Sequence, residues 1–366
     1  MKILAIDPYL ARSHGFFLDG LKKFSRHEIE LFTIPAMKWK WRMRTAGFAM
    51  GRLLRETGSK FKGPYDLLLA SDFLSLTDFR SAAPPKISNL PCVYYFHENQ
   101  LTYPARCESE HDFNFCFINI SSALAAEKVL FNTEFHRRVF MSGAELFLKR
   151  DPGKSFAGAV AEIEKKSGIL PIGVDFGEFG GPAAERADEA PIILWNHRWE
   201  FDKNPEPFFN ALGELKGGGV GFRLAVLGER FREYPPVFDS AQKEFSDRII
   251  HWGFVEDRKK YVEILKSSDI VASTALHEFF GLSVVEAMAA GCAPLLPNRL
   301  SYPEILPGRM HGKHLYGADA ELAGKLKTLI ESAAGGGRAE YADAVGRFAW
   351  KTVAAEFDEI AGTIVN

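Results

Sequence analysis

The sequence predicts an α/β protein made of two doubly wound, parallel-sheet domains facing a central cleft. Its 366 residues, at roughly 100–200 residues per domain, are enough for two domains that each bury a core. Short apolar runs alternate with helical stretches from end to end, and the runs are continuous rather than alternating, as in strands buried on both faces. The pattern also occurs twice, on either side of residues 177–190, which are rich in Gly, Ala, Pro and charge as a linker would be.

In chain order, strands are predicted at residues 2–7, 28–34, 65–70, 91–96, 127–131 and 168–172, then at 191–195, 222–227, 248–252, 269–272 and 292–296. The expected organisation is an N-terminal acceptor-binding domain (1–176), a linker (177–190), a C-terminal nucleotide-binding domain (191–345) and a C-terminal helix (346–366) able to pack back on the first domain. Val345, Phe348, Ala349, Val353, Phe357 and Ile360 recur at helical spacing and mark that helix. Ligands of doubly wound sheets bind at the carboxyl ends of the strands, which places the site in the cleft.

With 46% hydrophobic and 25% charged residues, the composition excludes a disordered, collagen-like or coiled-coil chain. Forty-five basic residues against 47 acidic ones give a formal net charge of −2, so any polyanion must be met by a local basic patch. The apolar run at the N-terminus is too short for a signal-peptide core, and no uncharged stretch approaches the roughly 18 residues of a membrane span. The four cysteines, Cys92, Cys107, Cys116 and Cys292, include no C-x-x-C pair, and neither a disulfide framework nor a zinc site is signalled. A cytoplasmic location with reduced thiols is expected.

Two phosphate-binding devices are absent. No G-x-G-x-x-G follows a strand, and Gly153-Lys154-Ser155 has Leu148 where a triphosphate loop needs its first glycine. A different arrangement follows residues 191–195, where Arg198 and Lys203 share one loop. There they either face a diphosphate, Arg198 bidentately and Lys203 as a point charge, or are merely solvated. After residues 269–272 the chain reads His277-Glu278-Phe279-Phe280-Gly281-Leu282-Ser283-Val284-Val285-Glu286. Gly281 permits a turn into a helix whose first unpaired amides form an anion site. Glu278 falls in the loop and Glu286 about one turn inside the helix, where carboxylates can hold sugar hydroxyls and a ribose diol.

This segment resembles the Glu-x7-Glu signature of retaining nucleotide-sugar glycosyltransferases of the two-Rossmann-domain (GT-B) architecture, glycosyltransferase family 4. Leu170-Pro171-Ile172-Gly173-Val174-Asp175 and Phe348-Ala349-Trp350 are similar to that family's domain link and closing motif. Narrower blocks, including residues 35–45, Tyr95-Phe96-His97-Glu98-Asn99 and Tyr302-Pro303-Glu304-Ile305, resemble the tRNA-queuosine α-mannosyltransferase family. Two residues depart from the broader pattern: Asn196 stands where a Gly is usual, and Phe279 where a smaller residue is common.

The resemblance implies front-face transfer of a hexose, mannose from GDP-mannose, to queuosine in a tRNA anticodon, with no protein nucleophile, metal or cofactor. It assigns Arg198 and Lys203 to the diphosphate, Glu286 to the ribose, Glu278 to the sugar hydroxyls and His97 to the transferred sugar. Phe280, Gly281 and Leu282 complete the donor site, with Gly253 and Phe254 near the base. On the acceptor side stand Ser13, His14 and Gly15, in the loop after the first strand, and Glu98 and Asn99. Loss of the Arg198 or Lys203 side chain is expected to cut turnover by orders of magnitude without unfolding the protein.

The segment Lys38-Trp39-Lys40-Trp41-Arg42-Met43-Arg44 alternates cations with large apolar groups. If it is extended, one face is wholly positive and the other is Trp-Trp-Met, suited to phosphates and unpaired bases of tRNA. The plainer alternative packs the apolar face inside and leaves the cations solvated. Two other functions stay open: the same architecture acting on a lipid, glycan or small metabolite, and a catalytically silent tRNA-binding module. No membrane anchor or protein partner is implied.

Overall fold

A computed structural model describes residues 1–10, 12–57, 61, 63–104, 112–180, 190–333 and 337–365. It divides into two units, Met1–Gly173 with Trp350–Asn366, and Val174–Ala349. The chain therefore passes between units at Gly173/Val174 and Ala349/Trp350, not at 176/177 and 345/346. Of the expected linker, residues 177–180 belong to the second unit, and 181–189 lie outside the described residues.

The first unit holds a six-stranded sheet of β1 (Lys2–Leu10), β2 (Glu28–Pro35), β3 (Leu67–Ser71), β4 (Cys92–Phe96), β5 (Lys128–Phe131) and β6 (Ser167–Ile169), in the order β2-β1-β3-β4-β5-β6. The second holds β7 (Ile192–Asn196), β8 (Arg223–Leu227), β9 (Ile249–Gly253), β10 (Ile270–Ala272), β11 (Ala293–Pro297) and β12 (Leu315–Tyr316), in the order β12-β11-β10-β7-β8-β9. Every pairing is parallel. The two-residue β12 was not predicted; it is too short to register as an apolar run.

The strands are apolar on both sides because helices cover both faces. β3, β4, β7 and β11 are buried at every residue. In each sheet the strand order reverses once, between β1 and β3 and between β7 and β10, and the crevice at such a switch point is where these folds bind ligands. Trp350 opens the last helix (Trp350–Val365) and stacks on Phe24 at 6.2 Å. The predicted tail helix is broken: Arg338–Ala344 is one helix, Gly346–Phe348 a 3-10 turn, and Ala349 bridges to Val174. Cys92, Cys116 and Cys292 are buried free thiols; Cys107 lies outside the described residues. Among the described residues, no helix is long and apolar enough to cross a membrane.

Candidate functional site

At the switch point of the second sheet, the loops after β7 and β10 are stitched together. Leu276 N–H donates to the Asp202 carbonyl (2.8 Å), and the Thr274 hydroxyl donates to the carbonyls of Lys203 (3.1 Å) and Asn204 (2.6 Å). Lys203 is buried. Its Nζ lies 3.1 Å from Asp202 and 3.5 Å from Glu278 and donates to the His277 carbonyl at 2.7 Å. Burial opposes the charge on Lys203, but the carboxylates of Glu278 and Asp202 outweigh it and raise its pKa. Burial likewise opposes ionisation of Glu278; Lys203 is the strongest of the neighbours that together outweigh it and hold that carboxyl below its ordinary value. Lys203 and Glu278, expected as partners in one site, are thus brought together.

Arg198, on the same loop, is about half exposed and paired with Glu200 at 3.1 Å. His197 and His277 each precede a charged site residue and are buried; burial first, then Lys203 nearby, pushes both down to about 4. They are neutral at physiological pH. Sequence reasoning passed over them, although a histidine immediately before Arg198 and another before Glu278 was a visible signal.

Gly281 has φ +98, a conformation that other residues adopt only with strain, and it turns the chain into the helix Leu282–Ala289. Phe280 is buried and meets Phe348 edge-on at 5.3 Å, so its side chain packs the core, while Leu282 is half-buried. Glu286 is buried with both oxygens engaged: Oε1 at 2.7 Å from the Arg258 guanidinium, Oε2 accepting from the Tyr261 hydroxyl at 2.8 Å. Burial raises the pKa of Glu286 despite these partners.

Arg258 also pairs with Glu178. Asn196, the departure from the usual Gly, donates to the Tyr261 hydroxyl (2.8 Å) and the Ser283 carbonyl (3.2 Å), tying the end of β7 to the Glu286 helix. Arg198 and Glu286 therefore lie on the same edge of the sheet. Arg258 and Tyr261 were missed because they carry no motif. Gly253 ends β9 at φ +108, followed by the partly exposed Phe254.

The first unit has its own cluster at its switch point. Asp7 near the end of β1, Asp72 after β3 and His97 after β4 are buried, as is His14. Ser13, His14 and Gly15 do not form a loop: β1 runs to Leu10, and they lie in the first turn of the helix Arg12–Phe24. Ser13 is exposed, but His14 is turned inward against Asp7 and His97. Asp72 accepts the backbone N–H groups of His97 (3.2 Å) and Glu98 (3.3 Å). Asn99 is fully buried, its Oδ1 accepting from Leu101 N and Thr102 N at 3.0 Å each; its side-chain oxygen braces the loop.

Ligand-type atoms of Asp7, His14 and His97 lie within 4.8 Å of one another. The two imidazoles stack nearly face to face, however, so their lone pairs lie in near-parallel planes and do not converge as metal ligands must.

The segment 38–44 is not extended. Lys38 caps a helix, Trp39–Glu56, whose buried face is Met43, Ala46, Gly47, Met50, Gly51 and Leu54. Helical geometry separates the two tryptophans. Trp39 packs on Phe115 (5.4 Å) and edge-on to Phe73 (6.4 Å), whereas Trp41 is 68% exposed, with Phe48 at 52% further along. Lys38, Lys40 and Arg44 are exposed. Arg44 pairs with Asp112 at 2.6 Å, and the partly buried Arg42 reaches the Pro35 carbonyl at 3.4 Å.

Two parallel doubly wound six-stranded sheets, one in each unit, are the architecture of the GT-B fold. Structures of this fold align over almost the entire chain: Anabaena Alr3699/HepE in complex with UDP and glucose (TM-score 0.71, 18% identity, 99% of this chain and 100% of that one), and a sucrose-phosphate synthase from Thermosynechococcus elongatus (TM-score 0.72, 15% identity, 99% and 98%).

Residues 182–344 match glycosyl transferases group 1, and residues 2–174 match the N-terminal domain of tRNA-queuosine alpha-mannosyltransferases. A Drosophila melanogaster protein named tRNA-queuosine alpha-mannosyltransferase is 36% identical over 333 residues, 88% of this chain and 85% of that protein. A Mycobacterium tuberculosis GDP-mannose-dependent alpha-(1-6)-phosphatidylinositol dimannoside mannosyltransferase is 27% identical over 31% of this chain and 29% of its own. The chain belongs to the tRNA-queuosine α-mannosyltransferase family.

Proposed function

We propose that the protein transfers mannose from GDP-mannose, with retention of configuration and without a metal, to queuosine in the anticodon of a tRNA. The observation that carries this is that the similarity to the Drosophila protein extends over 88% of the chain, through the acceptor-side unit as well as the donor unit. The partial likeness to a mannosyltransferase whose name specifies GDP-mannose supports the donor. Arg198 and Lys203 hold the departing diphosphate, Glu286 the ribose, Glu278 the sugar hydroxyls, and His97 the transferred sugar. Phe254 and Gly253 lie on the base side.

Two cations and a helix start supply about 5–8 kcal/mol of charge stabilisation. Enzymes commonly lower barriers by about 8–23 kcal/mol. Orientation of the acceptor hydroxyl, worth roughly 7–11 kcal/mol, carries the rest. The test is mass spectrometry of nucleosides from queuosine-bearing tRNA incubated with the protein and a panel of sugar nucleotides. Gain of one hexose on queuosine, largest with GDP-mannose, is expected; donor turnover that leaves queuosine unmodified would sink the acceptor.

Trp41 and the exposed cations around it form the acceptor surface in this proposal. Trp41→Ala is expected to weaken tRNA binding by about 1–3 kcal/mol with little change in salt dependence, as loss of base stacking does. Lys40→Glu should instead flatten the dependence of log K on log salt by about one contact or more. Filter binding at several salt concentrations separates the two, and binding indifferent to both changes would remove this helix from the RNA surface.

A further inference from the structure

We infer that Asp7 and His14 are positioning residues: they share one proton and thereby hold His97, stacked on His14, as a neutral hydrogen-bonding ring at the carboxyl edge of the first sheet. His97 is the group set against the transferred sugar, and to that extent the proposal rests on the function proposed above; its physical content does not depend on which sugar or acceptor is used.

Asp7 Oδ2 lies 2.6 Å from His14 Nδ1, while Asp7 Oδ1 accepts the Tyr9 N–H at 2.7 Å. Both side chains are buried. His14 sits in the first turn of its helix, where the helix field opposes a cation, and no acidic residue of that turn offsets it. The ion pair therefore does nothing for the helix it stands on. The His97 ring lies over His14 with centroids 3.9 Å apart and planes 22° from parallel. A proton on each would set two cations face to face away from water, which strongly disfavours the second.

His14 has the carboxylate. His97 Nδ1, by contrast, is buried without a hydrogen-bond partner among the described residues. The His97 ring is held by apolar edges, with Tyr95 at 4.7 Å and Phe17 at 5.1 Å, while Asp72 fixes its backbone by accepting the His97 N–H rather than by bonding the ring.

The titratable groups facing His97 are His14 from the first helix, Asp72 after β3, Tyr95 on β4, Glu98 beside it and His136 from the helix Glu134–Leu148. His136 bonds through Nδ1 to Asn132 at 2.9 Å. The balance agrees with the geometry. Burial works against the His14 charge, yet Asp7 outweighs it and pushes His14 up to about 9. Burial, then His14 and His136, holds His97 well below the ordinary histidine value.

The test is histidine ring NMR of the full chain between pH 5.5 and 9, with signals assigned by their loss in His14→Gln and His97→Asn. In the wild type, His14 is expected to stay protonated until near pH 9 and His97 to stay neutral throughout. In Asp7→Asn, where the charge on His14 is no longer held, His97 should begin to titrate at the acid end of this range, burial still keeping it below the ordinary histidine value. The ratio of kcat/KM at pH 5.5 to that at pH 8 should then fall relative to wild type.

His14→Gln removes the same charge and should move His97 in the same way, which covers failure of Asp7→Asn to fold. His97 titrating near 6.5 in the wild type, unmoved in both variants, or shifted with no change in the rate ratio overturns the proposal. The NMR result stands even if queuosine is not the acceptor, so the two claims fail separately.

Discussion

Arg198→Ala is expected to lower turnover by about 10²–10⁴-fold while leaving the melting temperature almost unchanged. The guanidinium is about half exposed and its pairing with Glu200 is a surface contact, worth at most about 1 kcal/mol. In the proposed function its value lies in what it meets when donor is bound. Two charge-assisted hydrogen bonds to a diphosphate, each about 1.5–3 kcal/mol, give the stated range if they tighten as the leaving group gains charge. Arg198→Lys should recover only part of the loss, since an ammonium keeps the charge and gives up the planar fork. Steady-state kinetics with sugar nucleotide and tRNA, beside thermal melts, check both numbers. Turnover within a few-fold of wild type would take Arg198 out of the leaving-group role.

The charged cluster of the second unit was legible because its residues sit on loops that follow apolar strands, and strand ends are where such folds hold ligands. Arg198, Lys203 and Glu278 needed only the pattern of residues 191–203 and 269–282. The partners of Glu286 needed the sheet order. Arg258 and Tyr261 precede it by 28 and 25 positions, and only the placement of β7 between β10 and β8 brings them to it.

The segment 38–44 failed for a different reason. Seven residues are two turns of helix, and strict alternation over so short a span fits a strand as well. The deciding signal lies further on, in Ala46, Met50 and Leu54, which continue the stripe begun at Met43. His14 was misplaced because β1 runs past Asp7 to Leu10, which turns an expected loop into a helix start.

Lys203→Ala should behave unlike Arg198→Ala, losing stability as well as activity, contrary to what the sequence alone suggests. Lys203 is 6% exposed, and the carboxylates of Asp202 and Glu278 lie 3.1 and 3.5 Å from its ammonium. Deleting the cation leaves the buried Asp202 carboxylate and the half-buried one of Glu278 without their shared partner, a change that costs about 3–5 kcal/mol. At about 2–4 °C per kcal/mol for a unit of this size, the melting temperature should fall by about 6–20 °C. Because the Glu278 carboxyl is held below its ordinary value of 4.5, its share of this stabilisation is complete above that pH and lost as pH falls through the lower, folded-state value.

Structural and chemical roles then have to be separated. Lys203→Met combined with Asp202→Asn removes one buried cation and one buried anion together, and it should regain much of the melting temperature. Turnover should not return with it, because in the proposed role no neutral side chain replaces the point charge on the diphosphate. If stability and turnover recover together, Lys203 serves only to hold its loop against Glu278, and leaving-group stabilisation falls to Arg198 and the amides that open the helix after Gly281.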